Sequence, residues 1–542
     1  MTTLLLGSMP MDNRRVFLKP NLLLEPLYNK WYAWSFLISP ATAAMYIANS
    51  HLKIMQSFID APQLHISANK NPAMIGGPFI NYEAGRVPEI RALIRETVAN
   101  GAQMLELAKA LQDLDQLLTT EADGLSLYPL YSRIPPPLGG YVELFYDTNN
   151  NASYRLVERL LYTSRYYNEA AQNVALSLTG ADDRHFTLST PALQTDGKLF
   201  IEMPFHHEAI DRLFQMRTAP GSLAQIADCF GISGDDFDTF SSFFSEEPPP
   251  ERDAFKGPGL RIRYFGHACL LIESNGTTVL TDPIVSYKSD GGIPRYTHAD
   301  LPETIDLILI THAHQDHCLL ETLLQLRHKT KTVVVPRNGG GMLPDPSLKL
   351  MLEKIGFPNV FEIDELASLK AGSAEVISLP FFGEHADLNI RSKTAYLIRM
   401  AGRSVLCAAD SNSVDSRLYE HLHAVVGNVD IVFLGMECKG APLSWLYGPL
   451  LTRPVSRKQD NSRRLDGSNC ERGLQMVDRL KPSQVYVYAM GQEPWLLHIT
   501  AIAYTDESIP IVESNMFVEE CRKRGYISER LYGQKEIFLE PG

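Results

Sequence analysis

Four side chains in one short run, Thr311-His312-Ala313-His314-Gln315-Asp316-His317, are metal ligands by type, and their spacing suits two ions better than one. Residues two apart in extended chain point the same way, so the imidazoles of His312 and His314 can grip a single ion. A turn into the helix suggested by Leu319, Leu320, Leu323 and Leu324 then aims the adjacent pair Asp316 and His317 at a second ion nearby. The run follows an apolar strand candidate from Ile305 to Ile310, and a strand end is where a sheet can present side chains to a ligand. The competing reading is a polar surface loop. Three histidines and an aspartate within six positions behind a buried strand speak against it.

The run resembles the HxHxDH signature of the metallo-β-lactamase superfamily. Gly266-His267-Ala268-Cys269, Val279-Leu280-Thr281-Asp282-Pro283 and the segment from Leu301 to Asp306 resemble the branch with ascorbate-lactone hydrolases and phosphodiesterases that release N-acylethanolamines. That resemblance spans about Leu260 to Gly491 and implies an αβ/βα sandwich. A binuclear site of this fold needs two further ligands. For the bridge, Asp410 is the best candidate, because Val405-Leu-Cys-Ala-Ala-Asp410 reads as a strand ending in a carboxylate, which can span two cations. A helix N-cap before Ser411-Asn412 is the weaker alternative. For the first metal, hydrolases of the superfamily place a histidine on an earlier strand-end loop. Here that loop reads Leu379-Pro-Phe-Phe-Gly383-Glu384-His385-Ala-Asp387, and either Glu384 or His385 can serve. Glu384 would add hard anionic oxygen and lean the site toward redox-active iron. His385 would suit a zinc-dependent lactonase or phosphodiesterase with a bridging hydroxide as nucleophile.

Three further strings, from Phe381 to Ile390, Gly435-Met436-Glu437-Cys438, and from Tyr488 to Trp495, sit beside a large N-terminal half that includes Trp31-Tyr-Ala-Trp-Ser35. Together they resemble the diiron β-hydroxylases of nonribosomal peptide synthesis over nearly the whole chain. The resemblance implies a non-haem diiron monooxygenase that uses O2 and electrons from an external donor. Its substrate would be an amino acid tethered as a thioester to a peptidyl carrier protein. It also implies that His312, His314, Asp316, His317, Glu384 and Asp410 hold the two irons and that Glu437 reaches toward them as a catalytic group. A salt-bridged surface glutamate is the equal alternative for Glu437. His498 lies in an apolar segment and reads as a core residue.

Strands that end side by side must position such a site, and the sequence from Leu260 onward supplies them. Leu260 to Phe265, Cys269 to Glu273, a Ser274-Asn275-Gly276 turn and Thr277 to Thr281 read as strand, strand, turn and strand. Later candidates are Thr332 to Val335, Ala374 to Ser378, Thr394 to Met400, Ser404 to Cys407, Ile431 to Phe433 and Gln484 to Tyr488, with helical stretches between several. The alternation predicts a layered α/β domain. Residues 1–245 mix short strand-like pieces with helical stretches, as from Val87 to Leu117, and predict a separate N-terminal α+β domain. The charged, proline-rich stretch from Glu246 to Glu251 sets the domains at 1–250 and 251–542.

A chain of 542 residues exceeds one ordinary core, which agrees with two domains. The net charge of -13 disfavours nucleic acid as a partner. Seven scattered cysteines without a CxxC pair predict no disulfide framework. The N-terminus lacks the pattern of a secretory leader, and the apolar stretch from Trp31 to Ala48, interrupted by Pro40 and two serines, reads as buried structure and not a membrane span. A cytoplasmic protein without a membrane anchor is the expectation. Arg453, Arg457, Lys458, Arg463 and Arg464 form a basic cluster able to complement an acidic carrier protein, although a solvated flexible insertion explains it equally. The N-terminal domain is the other candidate for carrier docking and, by the resemblance, for a homodimer contact.

Overall fold

Two seven-stranded sheets follow residue 259 in the computed structural model, which describes residues 14–289 and 291–542. The segment read as lacking a secretory leader lies largely outside the described residues. In the first sheet Leu260–Gly266 pairs antiparallel with Cys269–Ser274, which turns at Asn275 and Gly276 into Thr277–Thr281. Both turn residues have positive φ, the twist-matched geometry of a two-residue hairpin loop. Ile305–Leu309, Thr330–Pro336 and Val360–Ile363 then add in parallel, and Lys535–Leu539 closes the opposite edge. The second sheet runs in the order Ser368–Ala371, Ala374–Leu379, Ala395–Met400, Arg403–Cys407, Ile431–Gly435, Gln484–Tyr488, Ile527–Arg530. Between the sheets lies a dry layer that includes Ile262, Val279, Leu307, Ile398, Val405 and Phe433. The helices Arg417–Val426, Cys470–Leu480 and Ile509–Lys523 cover the outer face of the second sheet. The strands read from sequence are present within a residue or two. The four that sequence reading missed, Val360–Ile363, Ser368–Ala371, Ile527–Arg530 and Lys535–Leu539, are short edge or near-edge strands with partly exposed patterns.

The N-terminal half holds a four-stranded sheet, Trp31–Tyr32, Leu22–Tyr28, Gln172–Leu178 and Leu199–Glu202, with helices that include Leu52–Asp60, Val87–Asn100 and Ala102–Glu121. The helical stretch expected from Val87 to Leu117 is therefore two helices broken at Gly101, and Val98 on it is exposed. The stretch from Trp31 to Tyr46 is buried throughout, as expected. No helix among the described residues is long and apolar enough to cross a membrane. All seven cysteines are free thiols.

The halves are less separate than the proline-rich connection suggests. Helix Leu320–Leu326, which follows the histidine run, is buried at every position, so one side packs on the first sheet and the other needs a second cover. The N-terminal half provides it, and Leu22, Leu24 and Leu213 share one apolar cluster with Leu320, Leu323 and Leu324. A buried polar cluster crosses the same interface. Arg184 donates to both oxygens of Glu321, at 3.0 and 2.9 Å, and Tyr32 donates to Glu321 at 2.7 Å.

Candidate metal centre

The histidine run begins where Ile305–Leu309 ends, and the second sheet brings Glu384 and Asp410 to it on loops after Ala374–Leu379 and Arg403–Cys407. Glu384 Oε1 lies 2.9 Å from His314 Nδ1, and its Oε2 lies 3.8 Å from His312 Nε2. Asp410 Oδ2 lies 3.0 Å from His317 Nε2 and 4.0 Å from His312 Nε2. Donor atoms of His312, His314 and Glu384 fall within 4.8 Å of one another, as do those of His312, His317 and Asp410, and those of His267, Asp316 and His317. Several of these atoms, His312 Nε2, His317 Nε2, Glu384 Oε2 and Asp410 Oδ1 among them, are buried without a hydrogen-bond partner despite such close approach. Polar atoms left unsatisfied in this way are costly, and a mixed set of imidazole and carboxylate donors converging on common centres fits two divalent ions. The carboxylate share suits iron.

Glu384 and His385 take different places. Glu384 joins a triad, whereas His385 stacks on His314 at 4.6 Å between ring centres and sets its Nδ1 2.8 Å from Glu384 Oε2. Lys393 donates to the carbonyl of Gly383 at 2.8 Å and Arg463 to that of Ala386 at 2.9 Å, so the loop is held from both sides. Arg464 lines the cavity at the site, Arg463 braces the loop, and Arg457–Ser462 is a capped helix whose Arg457 and Lys458 are exposed. Glu437 lines the same cavity as Asp316, Glu384 and Asp410. His498 does not: it is buried 4.0 Å from Glu321 in the polar cluster between the halves.

Three supporting residues carry no signal of their role in the local sequence, although Asp282 and His267 lie in segments that resemble the superfamily. Asp282 accepts the Thr311 N–H at 2.7 Å and the Thr311 hydroxyl at 2.6 Å, and lies 2.8 Å from His317 Nδ1. It thus fixes the ring whose Nε2 faces Asp410, the outer-shell arrangement that orients metal-bound histidines. His267 Nδ1 accepts the Gly491 N–H at 3.2 Å, which leaves the proton of a neutral ring on Nε2, 3.4 Å from Asp316 Oδ2. His267 is therefore a positioning residue for Asp316. Tyr447 OH lies 2.9 Å from His314 Nε2, on the side of the ring away from Glu384. Backbone strain concentrates here too: His267, Asp282, Glu384, Ala386, Asp387, Ala409 and Ala489 all have positive φ without being glycine. Such residues cost about 1–3 kcal/mol each and persist where the surroundings over-determine them, commonly at functional sites.

Burial and neighbouring charges set the protonation. Burial and the crowding of His317, His314 and His385 keep His312 neutral, its pKa well below the usual value. Burial also opposes charge on His317, but Asp410 and Asp282 outweigh it and raise its pKa. Burial would raise Glu384, yet His314 and His385 win and lower it to about 2. Glu437 moves well above the carboxylate range, through burial and then the charges of Asp410, Asp316 and Glu384.

A cavity of about 300 Å³ opens onto these groups. Its far wall comes from Ile75 and Gly76 of the N-terminal half, Trp445, Leu446, Ile502 and Tyr504. The Trp445 indole donates to the Gly76 carbonyl at 2.9 Å and ties the halves together at the wall.

Sandwich, strand-end donors and three overlapping triads together define a metallo-β-lactamase-fold protein with a dinuclear nitrogen and oxygen site. Residues 261–438 match the β-lactamase superfamily domain, and residues 17–248 match the diiron non-heme β-hydroxylase N-terminal domain. The chain is 41% identical, over 97% of its length and 100% of the relative's, to the 4-amino-L-phenylalanyl-(CmlP peptidyl-carrier-protein) 3-hydroxylase of Streptomyces venezuelae. The crystal structure of CmlA, a diiron β-hydroxylase from Streptomyces venezuelae, aligns with a TM-score of 0.91 at 41% identity, covering 97% of this chain and 100% of that one. A mutant CmlA β-hydroxylase aligns over the same shares with a TM-score of 0.89 at 40% identity. The chain belongs to the diiron non-haem β-hydroxylase family.

Proposed function

We propose that this enzyme hydroxylates the β-carbon of an amino acid carried as a thioester on a peptidyl carrier protein, using dioxygen and electrons from an external donor. His312, His314 and Glu384 would hold one iron, Asp316 and His317 the other, with Asp410 between them. The Glu384 carboxylate carries the reading: 2.9 Å from His314 Nδ1, it supplies hard anionic oxygen where a third imidazole would favour zinc. Similarity along the full chain to an enzyme named as a carrier-protein 3-hydroxylase supports the substrate class.

Two irons in this donor set supply reductive activation of dioxygen. The protein's own groups do the rest. Asp282 and His267 hold His317 and Asp316 in fixed orientations, so little reorganisation remains at the moment of reaction. The apolar groups of Ile75, Leu446 and Ile502 in the cavity wall would suit an uncharged amino-acid side chain. Glu437 lines the cavity beside the ligands, where burial and the charges of Asp410, Asp316 and Glu384 favour its protonated form, and we assign it the catalytic role. We take residues 1–250 as the domain for carrier docking and dimer contact and residues 251–542 as the catalytic domain. Seven free thiols favour a reducing, cytoplasmic setting.

The test uses protein from iron-supplied cells, assayed for iron and zinc, then reduced and given oxygen with aminoacyl carrier protein. About two irons per chain, from the dinuclear reading, and a carrier-bound product heavier by one oxygen are expected. Zinc at the site with thioester or lactone cleavage would overturn the proposal.

A further inference from the structure

Where the N-terminal half meets the sandwich, a second cavity of about 210 Å³ lies beneath the proline-rich connection. Its charged side chains are mostly cationic, set among apolar groups such as Phe17, Leu18 and Pro249. Lys19 and Arg217 come from the N-terminal half, Arg252 from the connection and His298 from the turn His298–Asp300, with Glu247 as the acidic member. Among the described residues, none of Lys19, Arg217, Arg252 or Lys329 behind them forms an ion pair. His298 is 5% exposed, and neither of its ring nitrogens has a hydrogen-bond partner. Arg217 donates to Gln325 at 2.6 Å through one terminal nitrogen, while its buried Nε is unpartnered as well.

Buried His298 and Arg217 Nε stand without partners in a pocket where Lys19, Arg217 and Arg252 bring positive charge from the N-terminal half and the connection, with Glu303 offsetting it only on the side of Arg252 and Lys329. We propose that this junction cavity binds a small multivalent oxyanion of the phosphate class. A dianion balances the excess of cationic side chains better than a monocarboxylate does, and a tetrahedral oxyanion offers acceptors in the several directions from which Arg217, Arg252, Lys19 and His298 approach. The volume lies below that of ordinary organic-ligand sites, so the occupant is inorganic phosphate or a short phosphomonoester and not a nucleotide. Charge crowding agrees with the geometry. Burial, Arg252 and Arg217 push the Lys329 pKa well below its ordinary value, and burial, Arg217 and Lys329 do the same to His298. Because both halves contribute donors, occupancy clamps the junction and stabilises the folded chain by mass action.

The experiment titrates iron-loaded, full-length protein with inorganic phosphate at constant ionic strength in chloride, following the midpoint of thermal unfolding and the 31P line width. Glycerol phosphate is a second arm that distinguishes an ester from the free ion. The wild type should show a saturating rise in midpoint. His298→Phe, which keeps a ring against Tyr287, and Arg252→Met should each raise the half-saturating phosphate concentration about tenfold or more, about 1.4 kcal/mol. Equal responses in wild type and both variants, or equal shifts with phosphate and chloride, would overturn the site. Iron content and hydroxylation in the two variants provide a separate readout, so the anion site can fail without touching the assignment of function.

Discussion

Glu384 bears the clearest single-residue consequence. Glu384→Gln keeps the volume of the side chain but removes the anionic oxygen facing His314, so iron occupancy should fall and hydroxylation should drop by about two orders of magnitude or more. Metal analysis beside turnover checks it, and retained iron with full activity would refute the ligand role. Asp282→Ala should weaken iron binding by about 10- to 100-fold while leaving every proposed ligand in the chain, a loss measurable by metal titration. His51 carries a prediction of a different kind. Buried and stacked on Trp31 at 4.0 Å, its ring is held neutral by burial, with its pKa pushed down to about 3 from 6.5. A base with a depressed folded pKa binds protons better when unfolded. Its contribution to stability is therefore complete above pH 6.5 and lost as pH falls from 6.5 toward 3, with a slope of at most about 1.4 kcal/mol per pH unit. His51→Phe keeps the stack and should flatten that part of the stability profile. Equal acid sensitivity in the variant would remove His51 as the cause.

The strand ends show at the scale of elements why some of the proposed ligands were legible in sequence and others were not. His312, His314, Asp316 and His317 are contiguous and follow an apolar strand, so their pattern survives without any knowledge of the fold. Asp410 was legible because a carboxylate ends a run of apolar residues. Glu384 against His385 needed a resemblance to decide, since adjacent residues in a loop with positive φ at Gly383 and Glu384 have no periodicity to read. Asp282 and His267 reach their partners across strands that only the sheet order makes neighbours, and the contact of His267 with Gly491 spans 224 residues. Gly435 belongs to the same group. A Cβ there would sit 2.6 Å from Asp410 Oδ1 and 2.8 Å from the Ala409 carbonyl, so the strand Ile431–Gly435 ends in glycine to leave room for the carboxylate. Gly435→Ala should displace Asp410, lower iron occupancy, and destabilise the fold by about 1–3 kcal/mol. Chemical denaturation and metal analysis measure the two effects separately, and an unchanged metal content would show that the contact relaxes elsewhere.

The molecule as a whole was only half legible. Composition and the proline-rich connection argued for two domains, yet helix Leu320–Leu326 offers no polar face to water, and it shares its apolar cluster with the N-terminal half. The same helix follows the histidine run, so the support that the N-terminal half gives it is felt at the site, as is the Ser35 hydroxyl donating to the Ala313 carbonyl at 2.9 Å inside the run. From this arrangement the chain should unfold in one cooperative transition despite its length. Arg184→Met would leave Glu321 buried without its cation, while Glu25 keeps Lys198, a loss of about 3–5 kcal/mol. That loss should lower the single transition without splitting it. A protease site introduced within residues 246–251, which are largely exposed, sharpens the test. Cleavage there should leave two fragments that co-elute and retain iron, because the apolar cluster and the Arg184–Glu321 contacts hold them together and the connection does not. Two separate transitions, or fragments that part after cleavage with the metal on the C-terminal piece alone, would mean that the histidine run is positioned by its own sandwich and that the shared core is incidental to the site.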